Sequence, residues 1–253
     1  MASPRMILNG YVSRNKARMP SVGHYFLCII LLFSAITHAK SSKIRPKLVY
    51  QSSILAIPDP IQSRMRHTTW HPGCPIAIQD LAYIELSYWG FDAQAHTGAL
   101  IINKELATEI VAIFKTLFEH RFPIQRMEPI ENFQGNDHLS MAANNTSAFN
   151  CRTIIGSSNE YSQHSYGRAI DINPLLNPYI HNNHVHPPQG AIYADRQKIL
   201  PGKIIKGDIV YRSFIEYGWD WGGNWYNAQD YQHFEKRAHG KRRNPYGHPN
   251  YQK

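Results

Sequence analysis

Three short stretches collect the residue types that hydrolytic chemistry needs. They are Asn145-Thr146-Ser147-Ala148-Phe149-Asn150-Cys151-Arg152, Ser162-Gln163-His164-Ser165-Tyr166-Gly167-Arg168-Ala169-Ile170-Asp171 and Asp230-Tyr231-Gln232-His233-Phe234-Glu235. Together they offer two imidazoles, two carboxylates and a guanidinium. A hydrolytic zinc site uses that inventory: three protein ligands, an open position for water, a group that takes the water's proton, and a cation for the charge that develops on oxygen. Each piece alone has a plainer reading, because a lone histidine is usually a hydrogen-bonded structural residue and an aspartate facing out of a strand is usually solvated. Ser147 and Ser165 lack the strand–turn–helix setting of a nucleophilic serine.

These residues need elements to carry them. Ile170 and Ile172 alternate with Ala169, Asp171 and Asn173, so a strand buries one face and presents a carboxylate on the other. Strands are also expected around Leu86–Phe91 and Ala99–Asn103. From Lys104 to His120 the apolar positions Leu106, Ile110, Val111, Phe114, Leu117 and Phe118 recur at helical spacing, and Pro123 closes the helix. Asp208 is expected to cap a helix running to about Tyr217, with Val210, Phe214 and Tyr217 on one side. Asp230 and His233, three apart, would share one side of a helical turn. The stretches 132–147 and 175–188 read as irregular, and 40–75 reads as an aperiodic N-terminal extension with a turn cluster at His71–Pro75.

Composition limits the class. The chain has 253 residues, 43% hydrophobic and 18% charged, which is too apolar for disorder and too polar for a multi-span membrane protein. Arg5, Arg14, Lys16 and Arg18 precede an apolar run from Phe26 to Ile36 that ends in Thr37-His38-Ala39, and no acid occurs before Asp59. That order predicts a signal peptide over residues 1–39, cleaved after Ala39, and hence an exported protein of the periplasm, cell wall or exterior. An uncleaved anchor is the alternative, although the run is short for a span. Cys28 lies inside the run rather than after it, which speaks against a lipoprotein. Removing the four leader cations from the formal net charge of +9 leaves +5. The two cysteines that remain, Cys74 and Cys151, predict a disulfide in an oxidising compartment.

The motifs resemble a family of zinc metallopeptidases that cut bacterial cell-wall peptides, comprising D-alanyl-D-alanine carboxypeptidases and dipeptidases and L-alanyl-D-glutamate endopeptidases. Ser162, His164, Gly167, Ala169 and Asp171 fill every fixed position of its Ser-x-His-x-x-Gly-x-Ala-x-Asp motif, and Asp230 with His233 fills its acid-x-x-His motif. Trp221-Gly222-Gly223-Asn224-Trp225 and Asn144–Arg152 look similar to it as well. The resemblance implies an α+β fold of the hedgehog/D-Ala-D-Ala peptidase-like kind: a small antiparallel sheet packed with helices, with the zinc site at the sheet face. It implies a metallopeptidase domain over 76–236 followed by a basic tail over 237–253. It further implies Zn2+ held by His164, Asp171 and His233, Asp230 as general base, and Arg152 gripping the substrate oxygen, with Arg168 as a second candidate cation. Aspartate rather than glutamate as the base, followed by His-Phe, looks like the endopeptidase branch.

The expected substrate is therefore a peptidoglycan stem peptide, without nucleic acid as partner and without a stable membrane span once the leader is removed. A D-alanyl-D-alanine carboxypeptidase and a non-catalytic wall-binding module remain as alternatives. His181, His184 and His186 read as incidental residues of a polar loop rather than a second metal site. Trp221, Trp225 and Tyr231 are candidates for the walls of a substrate groove.

Overall fold

A computed structural model describes residues 49–154, 159–226 and 228–241. The expected leader, its cleavage point after Ala39 and the tail cations Arg242, Arg243 and Lys253 lie outside the described residues. No helix among the described residues is long and apolar enough to cross a membrane.

The chain opens with strand β1 (Ser52–Leu55) and helix α1 (Asp59–His67). A long hairpin follows, β2 (Leu81–Trp89) and β3 (Ala95–Asn103), paired from Leu81↔Asn103 to Trp89↔Ala95, with β1 added antiparallel to β2. Helix α2 (Ala107–Glu119) then packs on the hairpin. Its expected periodicity is present, with one adjustment: Ile113 is fully buried and Val111 only partly. Asn103 caps the turn that enters it by accepting a bond from the Glu105 N–H.

The remaining elements are short: β4 (Arg126–Met127), α3 (Asp137–Ala142), β5 (Asn145–Thr146), β6 (Ala169–Asp171), β7 (Tyr179–His181), β8 (His184–His186), α4 (Ile209–Glu216), β9 (Asp220–Trp221), β10 (Ala228–Asp230) and β11 (His233–Glu235). They form antiparallel sheets β6-β11-β9 and β10-β7-β8 and a parallel pair β4-β5. The architecture is α+β, as expected, but the strands are spread over several small sheets rather than one. A single core joins them: Ile84, Leu86, Leu100 and Ile102 of the hairpin meet Ile110, Phe114 and Leu117 of α2, then Ile170, Phe214, Trp219, Trp221 and Phe234. α4 begins on the expected cap, where Asp208 accepts the Tyr211 N–H at 2.7 Å.

Three expectations change. Residues 49–75 are not an extension ahead of the fold: β1 pairs with the hairpin, and Met65 of α1 is fully buried. The stretch 132–147 contains α3, capped by Asn136, whose side chain accepts the Leu139 N–H. The stretch 175–188 holds the β7–β8 hairpin, turned by Asn182 and Asn183, both at positive φ, as two-residue turns of this twist require.

Where strands are this short, buried amide side chains take over much of the cross-linking. Asn173 is fully buried, accepts the Gln125 N–H and donates to the carbonyls of Pro123 and Gly202. Asn177 donates to Ile172, Asn173 and Gly202 carbonyls and accepts from Ile204. Asn145 bridges both the N–H and the carbonyl of Glu128. The predicted disulfide is present between Cys74 and Cys151, with 6.0 Å between their α-carbons.

Candidate metal centre

Register places the first pair of candidate ligands. β6 and β11 are antiparallel with Asp171 directly opposite His233, so their side chains leave the same face within a few ångströms of each other. His164 arrives from a 3-10 turn, Gln163–Tyr166, that ends just before β6. The other fixed residues of the motif shape that turn. Ser162 caps it, its hydroxyl accepting the His164 N–H. Gly167 ends it at φ +63, where an added Cβ would stand 2.6 Å from the Asn103 nitrogen, so neither conformation nor space admits another residue. Ala169 is fully buried.

The three donor atoms converge. His164 Nε2 and His233 Nδ1 are 3.2 Å apart, His233 Nδ1 and Asp171 Oδ1 3.0 Å, and His164 Nε2 and Asp171 Oδ2 3.2 Å. Donors about 2.0–2.1 Å from a tetrahedral ion stand roughly 3.3 Å apart, so the trio has the span of one face of a zinc tetrahedron. The far side of each ring is committed. His164 Nδ1–H donates to the Ala148 carbonyl and His233 Nε2–H donates to Glu235 Oε2 at 3.1 Å. Those acceptors fix the tautomers that leave a lone pair on His164 Nε2 and His233 Nδ1. Two imidazole nitrogens and a carboxylate facing one another at this distance, all at most 7% exposed, need a positive charge between them, a proton on His233 or a metal ion in its place. The donor set and its spacing fit zinc.

Charge in the site follows from its burial. Burial raises the Asp171 carboxyl, but the two imidazoles outweigh it and hold the group well below the usual carboxylate range. Burial lowers His233, yet its bonds to Asp171 and Glu235 prevail and hold it up at about 10. Burial likewise raises Glu235, and His233 and Arg237 bring it down to about 2. A metal must therefore displace a proton from His233. The sign is that affinity rises with pH at every pH below that value. Apparent zinc affinity should gain about tenfold per pH unit from 5 to 8, and competition titrations with a chelator would read the slope. Glu235→Gln, which weakens the partner of His233, should cost roughly 10–100-fold in zinc affinity. A pH-independent affinity, or a Gln variant that binds zinc as tightly, would contradict this account of the rings.

Asp230 also reaches the cluster, by a route other than the expected helical turn. It ends β10 and His233 begins β11, so the two flank the turn Tyr231-Gln232 between strands. Gly222 makes room for it, since a Cβ there would stand 2.6 Å from the Asp230 carbonyl and 2.8 Å from its Cβ. Asp230 Oδ1 is buried and has no hydrogen-bond partner among the described residues. Burial pushes its carboxyl up to about 6, a range suited to taking and returning a proton near neutrality.

These groups line one cavity of about 780 Å³, within the usual size for a ligand site. Arg152 lines the cavity as well. Ser165 clamps its backbone, accepting the Arg152 N–H at 2.8 Å and donating to the Arg152 carbonyl at 2.7 Å. Asp137 of α3, which no motif singles out, bonds the Arg152 guanidinium at 2.9 Å. Arg168 does not line the cavity; it pairs with Glu105 and the Lys236 carbonyl.

The groove residues need correcting in two of three cases. Trp225 lines the cavity and lies 5.3 Å from the His233 ring. Trp221 is buried against Tyr211 and Phe234, while Tyr231 packs on Trp221 and under Arg196. His181, His184 and His186, expected as incidental, all line the cavity from the β7–β8 hairpin, together with Tyr179. Tyr179 is the register partner of Asp230.

Residues 156–236 match the family model described as D-alanyl-D-alanine carboxypeptidase. The match takes in His164, Asp171, Asp230, His233 and Glu235 but stops short of Arg152 and Asp137. No curated protein and no solved structure matches significantly.

Proposed function

We propose that this chain, whose residues 156–236 match the family model described as D-alanyl-D-alanine carboxypeptidase, is an exported zinc peptidase that hydrolyses peptidoglycan stem peptides between L-alanine and D-glutamate. The observation that carries the reading is the buried trio His164, Asp171 and His233, whose donor atoms lie 3.0–3.2 Å apart with both imidazole tautomers fixed. These three would hold zinc, on a fold of the hedgehog/D-Ala-D-Ala peptidase-like kind. Bound zinc supplies Lewis acidity and brings a water molecule within reach of deprotonation near neutral pH.

The chain's own residues do the rest. Asp230 Oδ1, which has no hydrogen-bond partner among the described residues, takes the proton of the attacking water and returns it to the departing amine. Arg152, pinned by Asp137 and Ser165, binds the carbonyl oxygen as negative charge grows on it. Trp225 covers the His233 ring and limits water. The preference for the internal bond over release of terminal D-alanine rests on Asp230 with its His-Phe context, and on Arg168 being held outside the cavity where it could not grip a terminal carboxylate.

Digestion of a defined muramyl pentapeptide by the zinc-loaded protein should release fragments cut between L-alanine and D-glutamate. Free D-alanine with that bond intact would make the protein a carboxypeptidase and leave the metal site standing. Intact-mass measurement of exported protein should give the chain starting at Lys40.

A further inference from the structure

The basic tail begins inside the cavity. Along β11 and the extended residues that follow it, side chains alternate. Phe234 enters the core and Lys236 bonds Glu109, while His233, Glu235 and Arg237 face the cavity. Arg237 keeps extended backbone, and the Lys236 N–H continues the ladder to the Arg168 carbonyl. One stripe therefore delivers a candidate metal ligand, the carboxylate that orients it, and a guanidinium. Arg237 Nε donates to Glu235 Oε1 at 2.8 Å, and its side chain is 31% exposed. That bond leaves the Nη edge of the guanidinium without a bond to another described residue. A planar cation held by one edge, with its other edge open to a cavity, is set for a two-point bond to a carboxylate.

Deepening the peptidase reading on which it rests, we propose that Arg237 is a substrate-binding residue that grips a free carboxylate of the stem peptide. Position along the stripe says which kind. Side chains two apart on a strand are separated by ~6.6 Å, and an extended peptide rises ~3.3 Å per residue. The guanidinium folds back on Glu235, about one such step from His233. Its ligand is thus a carboxylate about two residues from the scissile amide, not one on the residue beside it.

The test uses zinc-loaded full-length protein, with Arg237→Ala and Arg237→Lys, on a muramyl pentapeptide and on versions amidated at one carboxylate at a time. Arg237→Ala should raise KM at least about tenfold, with zinc still one per chain and Lys restoring part of the loss. One amidated peptide should show the same KM rise with the wild-type protein and no further rise with Arg237→Ala. Equal KM for wild type and Ala variant on every peptide would overturn the proposal. So would a loss of zinc or a fall confined to kcat, since Arg237 would then act only through Glu235 on His233. A wild-type protein that cuts none of the peptides would overturn the peptidase reading itself, and the subsite with it.

Discussion

Asp230→Ala should retain one zinc per chain and lose about 10²–10⁴-fold in kcat, whereas His164→Ala should lose the zinc and the activity together. The two variants differ because the residues stand in different relations to the cluster. His164 contributes a donor atom that the other two approach within 3.2 Å, and two remaining ligands hold zinc poorly. Asp230 has a buried oxygen with no hydrogen-bond partner among the described residues, so its removal takes away a proton acceptor without removing one of the three clustered donors. Metal analysis of purified variants beside single-turnover assays separates the cases. Full zinc and full activity in His164→Ala would remove the basis for the metal assignment. Full activity in Asp230→Ala would move the base elsewhere.

Replacing Cys74 and Cys151 together with alanine should cost roughly 4 kcal/mol of stability, because the bridge closes a loop of 77 residues. The bridge belongs to a small satellite core of Ile57, Met65, Ile78, Leu81, Ile101 and Phe149, which has little apolar area with which to compensate. Activity should respond differently. Arg152 follows Cys151, but its backbone is held twice by Ser165. Folded double variant at low temperature should therefore keep its turnover within about threefold, while its denaturation midpoint falls. An unchanged midpoint would mean that the satellite core holds without the bridge. A lost activity in folded protein would mean that the bridge, not Ser165, positions the arginine.

The residues of the centre were legible because each is fixed in type by a local demand. Ser162 must cap, Gly167 must adopt positive φ where no Cβ fits, and His164 and Asp171 supply donor atoms to one buried cluster. α2 and the Asp208 cap were legible because burial of one face writes itself into thirteen consecutive residues, or into one side-chain bond. The segment 49–75 hid its strand and helix because β1 is an exposed edge and α1 buries only Met65, so neither has a period to read. Strands of three residues, as in β7 and β8, are too short for alternation, although Asn182-Asn183 between them was a usable turn signal. The spacing of Asp230 and His233 fits a helical turn and a strand–turn–strand equally well. Pairings such as Asp137 with Arg152, or Glu235 with His233, are decided by tertiary neighbours. The same holds for Trp221 and Tyr231, whose aromatic character left open whether they would face core or cavity.

The buried asparagines bear on how the protein ages. Spontaneous loss of an asparagine amide begins when the next residue's backbone nitrogen attacks the side-chain carbonyl, and it would put an acid where these side chains donate. Asn173 and Asn177, which between them donate to the carbonyls of Pro123, Ile172, Asn173 and Gly202, are each followed by proline. A proline nitrogen has no hydrogen to lose, so that attack is blocked at both positions. The two amides on which the short-stranded half of the fold most depends are thus shielded by sequence from the reaction that would turn them into buried charges.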